Sequence, residues 1–228
     1  MTPMSHIPNT EQARFNMIEQ QIRPWEVLDQ AVLSLLAIVK REDFVPPAYK
    51  SLAFVDMEIP LPATDGAVEY MLAPKVEARL LQELSVEKHE TVLEIGAGSG
   101  YMAALLAHKG RHVVALEIHP ELAQLASNNL RHAGVFNADV RCANGAAMQS
   151  VEGPFDAVVL SGSVASVPPS LLAQLKVGGR LAAVVGQEPI MRAMRITRVG
   201  ERDYRSVALF DTVAPRLHGF DEPTRFCF

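Results

Sequence analysis

Between residues 91 and 185, short apolar runs alternate with stretches whose apolar residues recur at helical spacing. Thr91-Val-Leu-Glu-Ile95, His112-Val-Val-Ala-Leu-Glu117, Val140-Arg-Cys-Ala143, Phe155-Asp-Ala-Val-Val-Leu160 and Arg180-Leu-Ala-Ala-Val-Val185 read as strands. They are rich in β-branched residues and almost continuously apolar, as strands buried on both faces must be. Between them, 101–110 has helical periodicity and a glycine stop, and 120–134 opens on proline and closes on glycine, the expected asymmetry of a helix. Residues 168–179, Pro-Pro-Ser-Leu-Leu-Ala-Gln-Leu-Lys-Val-Gly-Gly, predict a further helix ending in a glycine pair. This alternation specifies an α/β fold, a doubly wound, mostly parallel sheet with helices on both faces.

Both ends depart from that pattern. Residues 191–213 read as two strands around Gly-Glu-Arg-Asp with no helix between them, which predicts an antiparallel strand pair added at the C-terminal end. Before residue 91, 10–22 and 27–39 are amphipathic helical patterns separated by Arg23-Pro24-Trp25, with Trp25 expected as a packing anchor. Residues 46–74 are proline-rich and lack periodicity, and Asp65-Gly66 within them reads as a turn. The expected division is an N-terminal helical and loop-rich lid over 1–74, a ligand-binding core over 75–213 and a tail over 214–228.

Chemistry concentrates where the first parallel strand ends. Gly96-x-Gly98-x-Gly100 follows it directly and precedes a helix, the position at which a doubly wound sheet binds its ligand. Glycines there permit a tight turn and let a ligand approach the backbone. The third glycine falls one residue earlier than in the dinucleotide fingerprint G-x-G-x-x-G, which disfavours a nicotinamide-dependent oxidoreductase. S-adenosylmethionine, which carries no phosphate, suits the turn. Glu117, ending the second strand, has a carboxylate able to accept both ribose hydroxyls, and Glu94 is placed to face the ligand's amino group.

Composition narrows the rest. The 228 residues carry a net charge of −5 with no basic run, so no nucleic-acid footprint is expected. The apolar run 31–39 cannot span a bilayer, so no membrane partner is expected, and the first residues lack the basic and apolar regions of a secretory signal. The 2 cysteines, Cys142 in a strand core and Cys227 in the tail, suggest a reducing, cytoplasmic setting. The 7 histidines show no ligand spacing with a carboxylate, so they read as solvated surface groups and no metal is expected.

Val92-Leu-Glu-Ile-Gly-Ala-Gly-Ser-Gly-Tyr-Met-Ala-Ala-Leu-Leu-Ala107, Gly153-Pro-Phe-Asp-Ala-Val-Val-Leu-Ser-Gly-Ser163 and Leu171–Gly186 resemble the motifs of the protein-L-isoaspartate (D-aspartate) O-methyltransferases. The lead-in segments 17–24, 39–46 and 53–61 are also similar to that family, so the resemblance covers about residues 11–213. It implies a Rossmann-like class I methyltransferase that uses S-adenosyl-L-methionine to esterify the abnormal carboxylates of altered Asp and Asn residues in a protein or peptide substrate. Carried over by position, Glu94, Gly96, Ala97, Gly98, Ser99 and Gly100 form the methionine-side turn, Glu117 holds the ribose, Ile118 beside it is a further cofactor-binding residue, and Asn144-Gly145 stand beside adenine where the family has Asp-Gly. The family's Thr-Ile-Ser-Gln-Pro substrate motif is replaced by Tyr70-Met71-Leu72-Ala73-Pro74, and its Thr-Ala-Ala by Ser161-Gly162-Ser163. The replacement hydroxyls expected to meet the acceptor are therefore Tyr70, Ser161 and Ser163. A methyltransferase for another acceptor, or an S-adenosylmethionine-binding protein without catalysis, stays open at this point, and the oligomeric state is not specified.

Overall fold

The computed structural model describes residues 10–62, 68–147 and 151–222. Helices α1 (Thr10–Met17) and α2 (Gln30–Ile38) and the hairpin β1 (Ile59–Pro62) and β2 (Val68–Met71) lead into α3 (Pro74–Leu84). The alternating part follows as β3 (Thr91–Ile95), α4 (Tyr101–Lys109), β4 (His112–Glu117), α5 (Pro120–His132), β5 (Ala138–Cys142), β6 (Phe155–Val164), α6 (Pro169–Leu172) and β7 (Leu175–Gln187), then β8 (Ile190–Arg198) and β9 (Tyr204–Asp211). The large sheet has the order β5-β4-β3-β6-β7-β8-β9. The first five in that order are parallel, and β8 and β9 add antiparallel, as the C-terminal pattern predicts. The chain enters at β3, winds outward to β5, then crosses back to β6. The strand order thus reverses between β3 and β6, and the crevice at their carboxyl ends is where such a sheet binds ligands.

Alternate residues of β3 face opposite cores. Val92 packs with α3, α4, α5 and the N-terminal Met17, Leu36 and Phe44, while Leu93 and Ile95 pack with Leu171 and Phe220 on the other face. The N-terminal segment therefore shares the core of the sheet. Buried ion pairs fasten it: Arg14 pairs with Glu42, and fully buried Arg41 pairs with Glu77 of α3 while donating from Nη2 to the Leu72 carbonyl at 2.9 Å. Each guanidinium satisfies more than one acceptor, which offsets the cost of removing both charges from water.

Several expectations are corrected. The helix over 168–179 is a single turn, because Leu175 pairs with Phe155 and starts β7, with Gly178 at φ +87° on the way. Strand β6 runs on to Val164 and takes Ser161 and Ser163 into the sheet. Within 46–74 the aperiodic stretch contains the β1/β2 hairpin, paired from Ile59↔Met71 to Pro62↔Val68; the turn read at Asp65-Gly66 lies outside the described residues, as does Cys227. The first helical pattern divides after Met17 into a π-helical turn, Ile18–Ile22, whose wider pitch brings Met17, Ile18 and Ile22 all to the buried side. Cys142 is exposed because β5 is the sheet edge. Trp25 is 45% exposed, its ring carrying the Lys75 ammonium at 4.1 Å, so it is a surface platform for that cation rather than a core anchor.

Candidate active site

The glycine turn is built from three left-handed residues, with φ of +87° at Gly96, +52° at Gly98 and +85° at Gly100. Only glycine adopts these conformations without strain. At Gly100 the neighbour is backbone: a Cβ would stand 3.1 Å from Cα and O of Ala126, so the glycine lets α4 start against α5. The turn is held from β4, since Gly96 and Ala97 both donate to the Leu116 carbonyl, at 2.8 and 3.1 Å. Glu117, buried at the end of β4, accepts from Gly98 N at 2.8 Å and from His119 N at 3.0 Å. Its carboxylate thereby fixes the turn and keeps free lone pairs for further donors.

The turn opens on a cleft walled by Gly96, Gly98, Glu117, Ile118, Gly145 and Ser161 and, from other segments, by Leu61, Tyr70, Leu217 and His218. A second cavity adjoins it, with Met71, Leu72, Glu77, Glu94, Ala97, Ser99 and Tyr101 in its wall; the two share Tyr70, Gly96, Gly98 and Ser161.

Glu94 lines the second cavity and reaches Ser161, a residue both cavities share. It is fully buried; its Oε1 accepts from Ser161 Oγ at 2.7 Å, and its Oε2 has no hydrogen-bond partner among the described residues. Burial pushes its carboxyl up to about 8, with Glu77 and Glu117 adding to the rise and the Ser161 hydroxyl opposing it. Glu77, also buried, is raised to about 7 by desolvation against the pull of Arg41. A buried acid with one oriented and one unused oxygen is a receptor for a cation or a strong donor.

The structure brings most of the expected site residues together in the cavity walls and leaves three outside them, Gly100, which packs on α5, Ser163 and Asn144. Ser163 is fully buried and donates to the carbonyl of Ala214 at 2.8 Å, away from both cavities. The pairing of β6 with β7 is irregular between Val159 and Ser163, so the two serines do not share a direction as strand alternation suggests. Asn144 uses its Oδ1 on Ala146 N at 2.9 Å to shape the loop and packs against Gly219, leaving only Gly145 of that pair in the cleft wall. A Cβ on Gly145 would come 2.4 Å from Ile95 Cγ2, so the loop follows the strand closely. Tyr70 is 39% exposed at the junction of both cavities. Ser161 has its one proton committed to Glu94.

Sequence reading missed Leu61, Glu69, Leu217 and His218 as cleft residues; all reach it from segments far from the glycine turn, Leu61 at the end of a lead-in segment and the other three outside any motif. It also misread His119. That side chain is 14% exposed and stands with His218 against Glu69, with Nε2 to Oε1 distances of 3.3 and 2.8 Å, so it is no solvated surface group.

The donor set fits S-adenosylmethionine. Glu117 lines the cleft beside Gly96 and Gly98, and the unpartnered oxygen of Glu94, in the wall of the adjoining cavity, matches an ammonium.

The chain is similar to known proteins over most of its length. Residues 12–212 match the family model described as protein-L-isoaspartate(D-aspartate) O-methyltransferase. A protein-L-isoaspartate O-methyltransferase of Rhodopseudomonas palustris is 37% identical over 196 residues, covering 86% of this chain and 88% of its own length. One from Herpetosiphon aurantiacus is 37% identical over 191 residues, 84% of each chain. Among solved structures, a Plasmodium falciparum protein-L-isoaspartate O-methyltransferase in complex with S-adenosyl-L-homocysteine matches with a TM-score of 0.73 over 89% of this chain and 96% of that one; at 20% identity the likeness is one of fold. The chain belongs to the protein-L-isoaspartate (D-aspartate) O-methyltransferase family.

Proposed function

We propose that this protein transfers the methyl group of S-adenosylmethionine to the carboxylate of isoaspartyl residues in altered proteins, in a cytoplasmic setting. The reading is carried by the Gly96–Gly100 turn locked to Glu117, with the half-used buried carboxyl of Glu94 in the wall of the adjoining cavity. Leu61 and Tyr70 of the β1/β2 hairpin serve as its lid, 75–213 hold the cofactor, and 214–222 close the rim through Leu217 and His218.

When bound, S-adenosylmethionine supplies a methyl group on a sulfonium, which an oxygen nucleophile accepts without needing a proton moved. A carboxylate is already an anion at neutral pH, so the protein's task is to bind, orient and exclude water. Glu117 offers its remaining lone pairs to the ribose hydroxyls, and Glu94 offers Oε2 to the amino group. Arg41 keeps Glu77 paired, so that charge does not oppose an incoming carboxylate. Of the three hydroxyls the sequence pointed to, Tyr70 is the one left to orient the acceptor, because Ser161 donates to Glu94 and Ser163 to the tail. Incubation with methyl-labelled cofactor tests the proposal: base-labile label is expected on an isoaspartyl peptide and absent from its aspartyl twin. Label on neither, with S-adenosylhomocysteine still bound in calorimetry, would overturn the acceptor assignment.

A further inference from the structure

Glu69, His119 and His218 come from three separate parts of the chain: the lid hairpin, the turn between β4 and α5, and the segment after β9. Each offers one ligand atom, and the three atoms lie within 4.8 Å of one another. We propose that they form a binding site for a divalent cation of the zinc type at the rim of the cofactor cleft, joining lid, core and C-terminal segment.

The distances carry the proposal. Glu69 Oε1 stands 3.3 Å from His119 Nε2 and 2.8 Å from His218 Nε2. Ligands bound tetrahedrally at about 2.0–2.1 Å stand roughly 3.3 Å apart, so small side-chain adjustments open the triangle around an ion. The imidazole rings meet edge to face at 85°, with centroids 5.6 Å apart, which lets both Nε2 atoms converge without stacking. Two imidazole nitrogens and one carboxylate suit zinc and its neighbours; magnesium and calcium demand more oxygens than this cluster provides. Glu69 and His119 have side chains only 18% and 14% exposed, which limits their rotamers, while His218 is 52% exposed and leaves the outer face open for water as a fourth ligand. The spacing of these residues in the sequence, 69, 119 and 218, gives no motif, because the sheet topology rather than a local turn brings them together.

The test is direct titration of the untagged, chelator-treated full chain with Zn²⁺ alone, followed by calorimetry, and with Co²⁺, followed by visible absorption. No cofactor or peptide is present, so the outcome is independent of the methyltransferase reading. One Zn²⁺ per chain and a Co²⁺ d–d spectrum are expected, with affinity falling at least about tenfold in Glu69→Gln and in His218→Asn. His132→Asn, on the exposed end of α5, should bind as the unaltered protein does, and circular dichroism verifies that each variant is folded. Absence of stoichiometric binding, or binding that survives Glu69→Gln and His218→Asn, would overturn the site.

Discussion

Replacing Glu94 by Gln tests whether the buried carboxyl is the receptor for the cofactor's amino group. In the ligand-free protein its pKa lies at about 8, because burial, Glu77 and Glu117 outweigh the hydrogen bond from Ser161. At pH 7 only about one molecule in eleven is ionised, and at pH 6 about one in a hundred. Binding an ammonium at Oε2 requires the carboxylate, so cofactor association must release a proton. Affinity should therefore weaken about tenfold from pH 7 to pH 6, a range in which an α-amino group remains charged. Glu94→Gln should abolish that slope. Its cost at pH 7 is modest by the same arithmetic: a hydrogen bond to a charged group contributes about 1.5–3 kcal/mol, less about 1.4 kcal/mol to deprotonate the acid first. The expected loss is thus at most roughly fifteenfold. Stability gives a second reading. The folded pKa is raised above the ordinary 4.5, so the stabilisation is complete below that value and is lost as pH rises through about 8. The Gln variant escapes this loss, and its melting temperature should exceed that of the unaltered protein by a margin that widens from pH 5 to pH 9. Calorimetric titration with S-adenosylhomocysteine, in buffers of differing ionisation enthalpy, measures both affinity and proton release. Binding without proton release, or an equal pH slope in Glu94→Gln, would refute the reasoning.

Three further perturbations have defined outcomes. Tyr70→Phe should lower kcat/KM on an isoaspartyl peptide on the order of 10–100-fold while leaving the S-adenosylhomocysteine Kd unchanged in calorimetry, since only the acceptor loses a donor. Gly100→Ala, with φ at +85° and the Ala126 backbone at 3.1 Å, should destabilise the fold by about 1–3 kcal/mol, read as a lower denaturant midpoint at constant m. Arg41→Met leaves Glu77 buried without its partner and should cost about 3–5 kcal/mol in chemical denaturation, most of it recovered in Arg41→Met with Glu77→Leu.

How much of this was legible in the sequence follows the range of the interactions. The parallel strands and the glycine turn could be read because their signals are local: a continuous apolar run reports burial on both faces, and three closely spaced glycines report left-handed backbone. Leu175 was assigned to a helix because its periodicity fits one, and its partner, Phe155, is 20 residues upstream. Ser163 was grouped with Ser161 as the replacement for the family's Thr-Ala-Ala, but β6 runs on with irregular register and Ser163 donates to the Ala214 carbonyl instead. Glu69, His119 and His218 stayed invisible because only the completed sheet brings them together. The Arg41–Glu77 pair was equally hidden: nothing in a charged residue's local sequence shows that it is fully buried.

The most direct test of the central claim is a competition in one tube. An isoaspartyl peptide and its aspartyl twin, at equal concentration, are offered to the protein with saturating labelled S-adenosylmethionine, and initial rates of ester formation are compared by chromatography. The account predicts that essentially all of the label enters the isoaspartyl peptide, with Tyr70 in place of the hydroxyl motif sufficient to orient the acceptor. Comparable rates on both peptides, or label on neither while the cofactor is bound, would contradict it.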